Sequence, residues 1–450
     1  MEHETTLWSP MNRRTFLRRT GATAATAAAL GTGMNLLTET PRADAATTVT
    51  VWEYAENRGR WLRSLAPGFR RQYPGADIKI VSVPQNLLGT KLTAALLSGS
   101  GVPDLVEFAV GSLGGFFTGS AAQGGSPFVA LDSYLGQRKS VLNAASAYGP
   151  WTYQGHIYGV GNEYNPVLMY YRWDLFQKAG IDATAIKTWQ DFVDAGKEFK
   201  AKTGAFIIGL PVSVLDYWYF LSRQRGGGPV APGNRVTCNN DVGVGALQFL
   251  SDLVYKHKIA ALDAGLSPYP PNAAYFTALT QGSYGVVLGA PWYQGFMKDN
   301  APKLSGKWRI APMPKWDSQS AQSVVYGGTA LVMPQLSPNK DLAWKFIAYA
   351  MLRPESQLQG FRLENLYPDM TTLYNNPALN QPDPYFDNQK TAQYLRAVAG
   401  SLLPWVETSN LGSVFDAVTR LAIEPVMQGH QSAKAGLDAA AAEVKKLKKE

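Results

Sequence analysis

Between Thr48 and Phe108 the hydrophobic period of the chain alternates between two residues and about four, and that alternation restricts the folds open to it. Thr48-Val-Thr-Val-Trp52 is a short β-rich run. Trp61, Leu65, Phe69 and Tyr73 then recur at four-residue spacing, which puts them on one face of a helix. Pro74-Gly75 stops that helix. Ile78–Val83 alternates like a strand, a second helix runs from about Leu87 to Leu97 and ends at Gly99, and Leu105–Phe108 is the next strand. Strand–helix–strand–helix–strand at this spacing is the pattern of parallel βαβ units, so the fold class is α/β. In such sheets the ligand crevice lies beyond the carboxyl ends of the strands.

The same reading continues along the chain. Val167–Tyr171 and Tyr284–Leu288 are apolar strands, Gly155–Gly159 is a turn leading into a strand, and Trp308–Ile310 is a short or edge strand. Trp189, Phe192 and Phe199 mark a helix for which Thr188 is the N-cap. Further helices carry Ala246, Phe249, Leu250 and Leu253; Leu342, Phe346 and Ile347; and Leu437, Ala441, Val444 and Leu447. The Gly- and Pro-rich stretches at Gly226–Gly233 and Pro268–Pro271 read as surface loops. Residues 46–450 are too many for one ordinary core, so two domains are expected, and they need not be continuous. Cys238 is the only cysteine, which leaves stability to packing.

The N-terminus has its own logic. Asn12-Arg-Arg-Thr-Phe-Leu-Arg18 resembles a bacterial twin-arginine export signal. A weakly apolar stretch follows from Gly21 to about Leu37, then the small-residue site Ala43-Asp-Ala45, after which cleavage is expected. The bland alternative is a basic tail, but three features fall in the right order. This route would carry the protein out already folded, with the twin-arginine export machinery as its partner. No cysteine closes the leader to take a lipid, so a free periplasmic protein is expected. The formal net charge is +8, yet beyond the leader the one dense basic run is Lys445, Lys446, Lys448 and Lys449, which suits the negative end of a last helix. With no basic stripe, nucleic acid is not an expected partner. His156, His257 and His430 lie far apart and lack metal-ligand spacing, and no nucleophile elbow or P-loop is present. No cofactor, metal or catalytic residue is expected.

Several motifs, weak singly, occur in a telling order: Thr48–Trp52, Gly101-Val-Pro-Asp-Leu-Val106, Trp151-Thr-Tyr-Gln-Gly-His-Ile-Tyr-Gly159, Leu168-Met-Tyr-Tyr-Arg-Trp-Asp-Leu-Phe176, Gln281–Gly285 with Gly289-Ala-Pro-Trp292, and Gly327–Pro334. Together they resemble the extracellular solute-binding proteins of ABC importers, in the carbohydrate-binding, maltose-binding-protein-like group. The resemblance implies two discontinuous α/β lobes with a ligand cleft between them, 46–161 with 329–372 and 162–328 with 373–450. Hinge crossings would fall near Gly161-Asn162 and near Gly327-Gly328. It implies a monomer that captures a mono- or oligosaccharide and delivers it to the transmembrane subunits of a permease. The same fold binding a polyol, a glycerol phosphodiester or a polyamine is the alternative. Iron is less suited, because adjacent Tyr170 and Tyr171 point to opposite faces of a strand. A secreted carbohydrate-active enzyme, with two carboxylates across a cleft, is the rival from another class.

A sugar site needs aromatic faces for pyranose C–H surfaces and acceptors for hydroxyl groups. Just past strand ends stand Glu53 and Tyr54, Glu107, and Trp292. The resemblance adds Glu163 and Tyr164 after the first crossing, Tyr217 and Trp218 beside Asp216, the glycines Gly327 and Gly328, and, more weakly, Tyr367 and Trp405. For each, solvated surface or core packing is the competing role. Twelve tryptophans fit an aromatic cleft, though large cores use them too. Arg58, Arg60 and Lys91 would serve a phosphate ligand but also read as ordinary helix-surface residues.

Overall fold

The alternation at the start of the chain produces a sheet packed on both faces. In the computed structural model β1 (Thr47–Glu53) buries Val49 and Val51 on one face and Trp52 on the other. Helix α1 (Glu56–Gln72) lays Trp61, Leu62, Leu65 and Phe69 against the first of these faces. Tyr73 caps that helix instead of extending it and tilts against Phe69 at 4.8 Å. β2 (Ala76–Ser82), α2 (Gln85–Ser98) and β3 (Leu105–Ala109) follow, and β1 pairs in parallel with both β2 and β3. The structure describes residues 46–118, 125–263, 265, 272–403 and 405–447. The twin-arginine run, the Ala43–Ala45 site, the Pro268–Pro271 loop, Pro404, Lys448 and Lys449 lie outside them.

Two five-stranded mixed sheets organise the described residues. The first runs β2-β1-β3, then Thr329–Val332, then Gly159–Gly161; the last two strands are antiparallel additions from distant parts of the chain. The second runs Ala260–Leu262, Phe206–Leu210, Tyr284–Gly289, Leu168–Arg172 and Trp308–Pro312, the last of these at the edge. Each sheet with its helices forms one lobe. Helices Lys340–Met351 and Pro354–Glu364 pack on α1, while Asp241–Tyr255, Leu411–Val418 and Ala433–Leu447 pack with the second sheet. Tyr170 and Tyr171 do face opposite sides of their strand, into separate cores.

The chain crosses between sheets after Gly161 and again before Thr329, and these two crossings run side by side. Val167 donates its amide to the Val324 carbonyl at 2.9 Å, and Tyr326 to that of Asn165 at 2.9 Å. A third passage leaves helix Pro354–Glu364 for the helix Thr391–Val398, which packs on the second sheet. Beneath the crossings, one apolar cluster is continuous from Trp61 and Phe346 through Tyr164 and Leu168 to Tyr293. The helix predicted after Thr188 spans Trp189–Thr203. The Thr188 hydroxyl accepts from the Asp191 amide (3.1 Å) while the Asp191 carboxylate accepts from the Thr188 amide (2.9 Å), a reciprocal capping box.

Candidate ligand-binding cleft

The carboxyl ends of β1 and β3 face the second lobe across a cleft of about 410 Å³. From the first lobe Tyr54, Ala55, Asn57, Arg58, Ala109 and Val110 line it. The crossings supply Glu163, Tyr326, Gly327 and Gly328, and the second lobe supplies Leu215, Asp216, Tyr219, Trp292, Phe296, Trp405 and Phe415.

Of the residues expected from sequence, the structure brings Tyr54, Glu163, Trp292, Gly327, Gly328 and Trp405, with Asp216, to this cleft. It places six others elsewhere. Glu53 is completely buried, turned under α1, where it accepts from the Ser82 hydroxyl and lies 3.7 Å from Arg63. Gly59 makes room for it, since a Cβ there would overlap the Glu53 carboxylate. Glu107 lies beneath the cleft floor and accepts from the Tyr54 and Ala55 amides at 3.1 and 3.3 Å. Tyr217 and Trp218 are core residues; the Trp218 indole N–H donates to the Gly243 carbonyl at 2.9 Å. Tyr164 packs against Tyr374, and Tyr367 against Phe361, below the crossings. A strand end marks where a carboxylate can reach a cleft, but the side chain still has two faces to choose from.

Sequence reasoning missed the role of Arg58 and overlooked Tyr219. Asp216 and Tyr219 are three apart on the helix Leu215–Arg223, so they share a face while Tyr217 and Trp218 turn inward. That spacing was visible in the chain. Arg58 is 2 % exposed and is the hub of a charge cluster. Its guanidinium pairs with Glu163, donates to Asn162 Oδ1, and holds Nε 3.5 Å from Glu107. Asn165 Nδ2 donates to the other Glu163 oxygen at 2.8 Å. One buried cation therefore serves two carboxylates from the first sheet and the first crossing. Burial raises the Glu107 carboxyl above its ordinary value, with Arg58 opposing the shift. Burial, reinforced by Glu107, also raises the Tyr54 hydroxyl well above its usual range.

The aromatic side chains are fixed by their own polar ends. Trp405 Nε1 donates to Glu407 at 3.0 Å, and its ring tilts against Tyr219 at 4.9 Å. Trp292 stands nearly perpendicular to Phe296 at 5.9 Å, and its indole nitrogen sits 3.5 Å from the Tyr326 carbonyl. Gly327 and Gly328 have φ of +75° and +95°. A Cβ on Gly327 would come within 2.7 Å of Trp292 Nε1, and one on Gly328 within 2.8 Å of Asn165 Nδ2. Both the conformation and the close approach call for glycine here. Asp216 is half-buried in the cleft wall, and the crowded walls around it desolvate its carboxyl and push it up to about 7.

Residues 54–357 match the family model of the bacterial extracellular solute-binding proteins. The chain belongs to that family. Family relatives include the arabinooligosaccharide-binding proteins of Halalkalibacterium halodurans, 26% identical over 76% of this chain and 76% of that one, and of Bacillus subtilis, 25% identical over 89% and 92%. The lactose-binding protein of Rhizobium radiobacter is 24% identical over 85% of this chain and 87% of its own. Solved structures of the same fold include the GacH receptor of Streptomyces glaucescens, studied unliganded and with acarbose (TM-score 0.73, 23% identity, 90% of this chain and 99% of that one). Maltose-bound MalE3 of T. maritima is another (TM-score 0.72, 21% identity, 89% and 100%). The two-lobe architecture with its interlobe cleft is thus the family's own.

Proposed function

We propose that the protein captures a sugar, with an oligosaccharide the first candidate, between its lobes and hands it to the transmembrane subunits of an ABC importer. The observation that carries this reading is the make-up of the cleft. Aromatic side chains from both lobes (Tyr54, Tyr219, Trp292 and Trp405) surround the carboxylates Glu163 and Asp216. Aromatic faces suit the C–H surfaces of sugar rings, and carboxylates suit their hydroxyls. Among the described lining residues Arg58 is the one cation, and it is already committed to two carboxylates. That disfavours a phosphodiester, which needs a converging positive charge. The names of the arabinooligosaccharide- and lactose-binding relatives point the same way.

In this reading the lobes comprise 46–161 with 329–372 and 162–328 with 373–450, and they close about the crossings at Gly161-Asn162 and Gly327-Gly328. Closure that favours both ligand and permease lets the ligand gate transport. The protein turns over nothing. It leaves the cytoplasm folded, by the twin-arginine route, and works as a monomer, without a lipid anchor, in the periplasm. A thermal-shift screen of residues 46–450 against arabino-oligosaccharides, lactose, maltotriose, polyols, polyamines and glycerol phosphodiesters tests the substrate class. A sugar at about a thousand times its Kd should stabilise the fold by roughly 4 kcal/mol. Stabilisation only by a polyamine or a phosphodiester would overturn the sugar reading, and hydrolysis of an aryl glycoside would overturn the non-enzymatic one.

A further inference from the structure

The loop after β3 in the first lobe meets the segment before helix Leu411–Val418 in the second. Glu407, from the second lobe, projects its carboxylate into this loop. One oxygen accepts from the Gly114 amide at 2.8 Å, the Gly111 amide also hydrogen-bonds to the carboxylate, and the other oxygen accepts from the Trp405 indole at 3.0 Å. The contact is close-packed as well as polar. A Cβ on Gly114 would overlap the Thr408 carbonyl oxygen, and one on Gly111 would lie 3.1 Å from the Trp405 ring. Val110, the residue before the loop, packs against the cores of both lobes.

We infer that Gly111–Gly114 and Glu407 form a latch that joins the lobes directly across the cleft and, through Glu407, sets the position of the Trp405 platform. This rests on the lobe closure proposed above. Every partner in the latch is a group of the chain, so the contact needs no ligand atom to complete it. Three N–H donors converge on one carboxylate, an arrangement that holds an anion firmly. Two of the donors are backbone amides of the opposite lobe. When the lobes part, Glu407 loses both while Trp405 keeps its indole bond, so the latch acts on closure and the platform stays oriented. Burial between the lobes is strong enough to push the Glu407 carboxyl up to about 7, although all three donors act the other way.

Two variants approach the contact from opposite sides. Gly114 has a backbone conformation open to alanine, and the atoms an added Cβ would meet, the Thr408 carbonyl and the Glu407 carboxylate, all belong to the second lobe, so Gly114→Ala obstructs the meeting of the lobes and not the first lobe's own packing. Glu407→Ala removes the acceptor. The first measurement is hydrogen exchange at the Gly114 amide without sugar. It should be roughly tenfold faster in Glu407→Ala than in the unsubstituted protein; equal rates would overturn the latch. The second is small-angle scattering with arabinotriose. Compaction of the unsubstituted protein but not of Gly114→Ala supports the latch, and equal compaction of both overturns it. If the unsubstituted protein does not compact, the sugar-closure reading fails for that ligand, and the exchange rates alone decide the latch. Should Glu407→Ala not fold, exchange across residues 111–118 in Gly114→Ala takes its place, with the same two outcomes.

Discussion

At the scale of single residues, the polar cluster under the cleft and the isolated acid in its wall behave differently. Glu107 and Glu163 share Arg58, whereas burial raises the Asp216 carboxyl against only its own backbone amide. An acid whose folded value is raised binds protons more tightly when folded. Its contribution to stability is therefore present at low pH and is lost as pH rises through the folded value, here about 7. The protein should be less stable at pH 8.5 than at pH 5.5, and Asp216→Asn should shrink that difference by on the order of 2 kcal/mol. Glu407, also raised to about 7, keeps the remainder. Urea titrations of both proteins at the two pH values check this; an unchanged difference would mean that Asp216 does not titrate there. Which acids line the cleft was only half legible in the chain. Strand ends located Glu53 and Glu107, and the family resemblance Glu163, but burial on one face or the other depends on which helix covers the strand. Glu53 went under α1 because Gly59 left space for it.

At the scale of elements, periodicity carried most of the information. The βαβαβ opening, the Thr188 cap, the edge strand at Trp308 and the opposed Tyr170 and Tyr171 follow from local chemistry, which sequence records directly. The helix Leu215–Arg223 was harder, because it is apolar almost all round. Only the three-residue spacing of Asp216 and Tyr219 separates its cleft face from its core face. Arg58 escaped because a buried arginine looks like any helix-surface arginine until its partners, Glu107 and Glu163, are folded next to it. The second crossing makes an element-scale prediction. Gly327→Ala forces a side chain onto a backbone with φ of +75° and into the Trp292 indole, which should cost roughly 1–3 kcal/mol. It should also weaken sugar binding by displacing Trp292. A denaturation midpoint and an affinity both equal to those of the unsubstituted protein would show that the crossing tolerates what its geometry opposes.

At the scale of the whole molecule, neither lobe is built from one continuous stretch. The first sheet inserts Thr329–Val332 between β3 and Gly159–Gly161, and the second lobe draws its C-terminal helices from beyond residue 400. A fragment ending before Thr329 should therefore be insoluble or chaperone-bound when expressed, although it holds the complete second sheet. A soluble fragment with cooperative unfolding would contradict this. The order of synthesis gives the same feature a temporal meaning. From the moment β3 leaves the ribosome until Thr329 follows, one side of β3 has no partner strand, an interval on the order of 10–40 s at bacterial elongation rates. An unpaired strand edge invites pairing with other chains. A nascent chain with this topology needs a sheltered period in the cytoplasm before it can be finished. The twin-arginine route proposed above, which waits for the completed fold, would match that need, whereas a route that threads the unfolded chain across the membrane would postpone the whole risk to the other side.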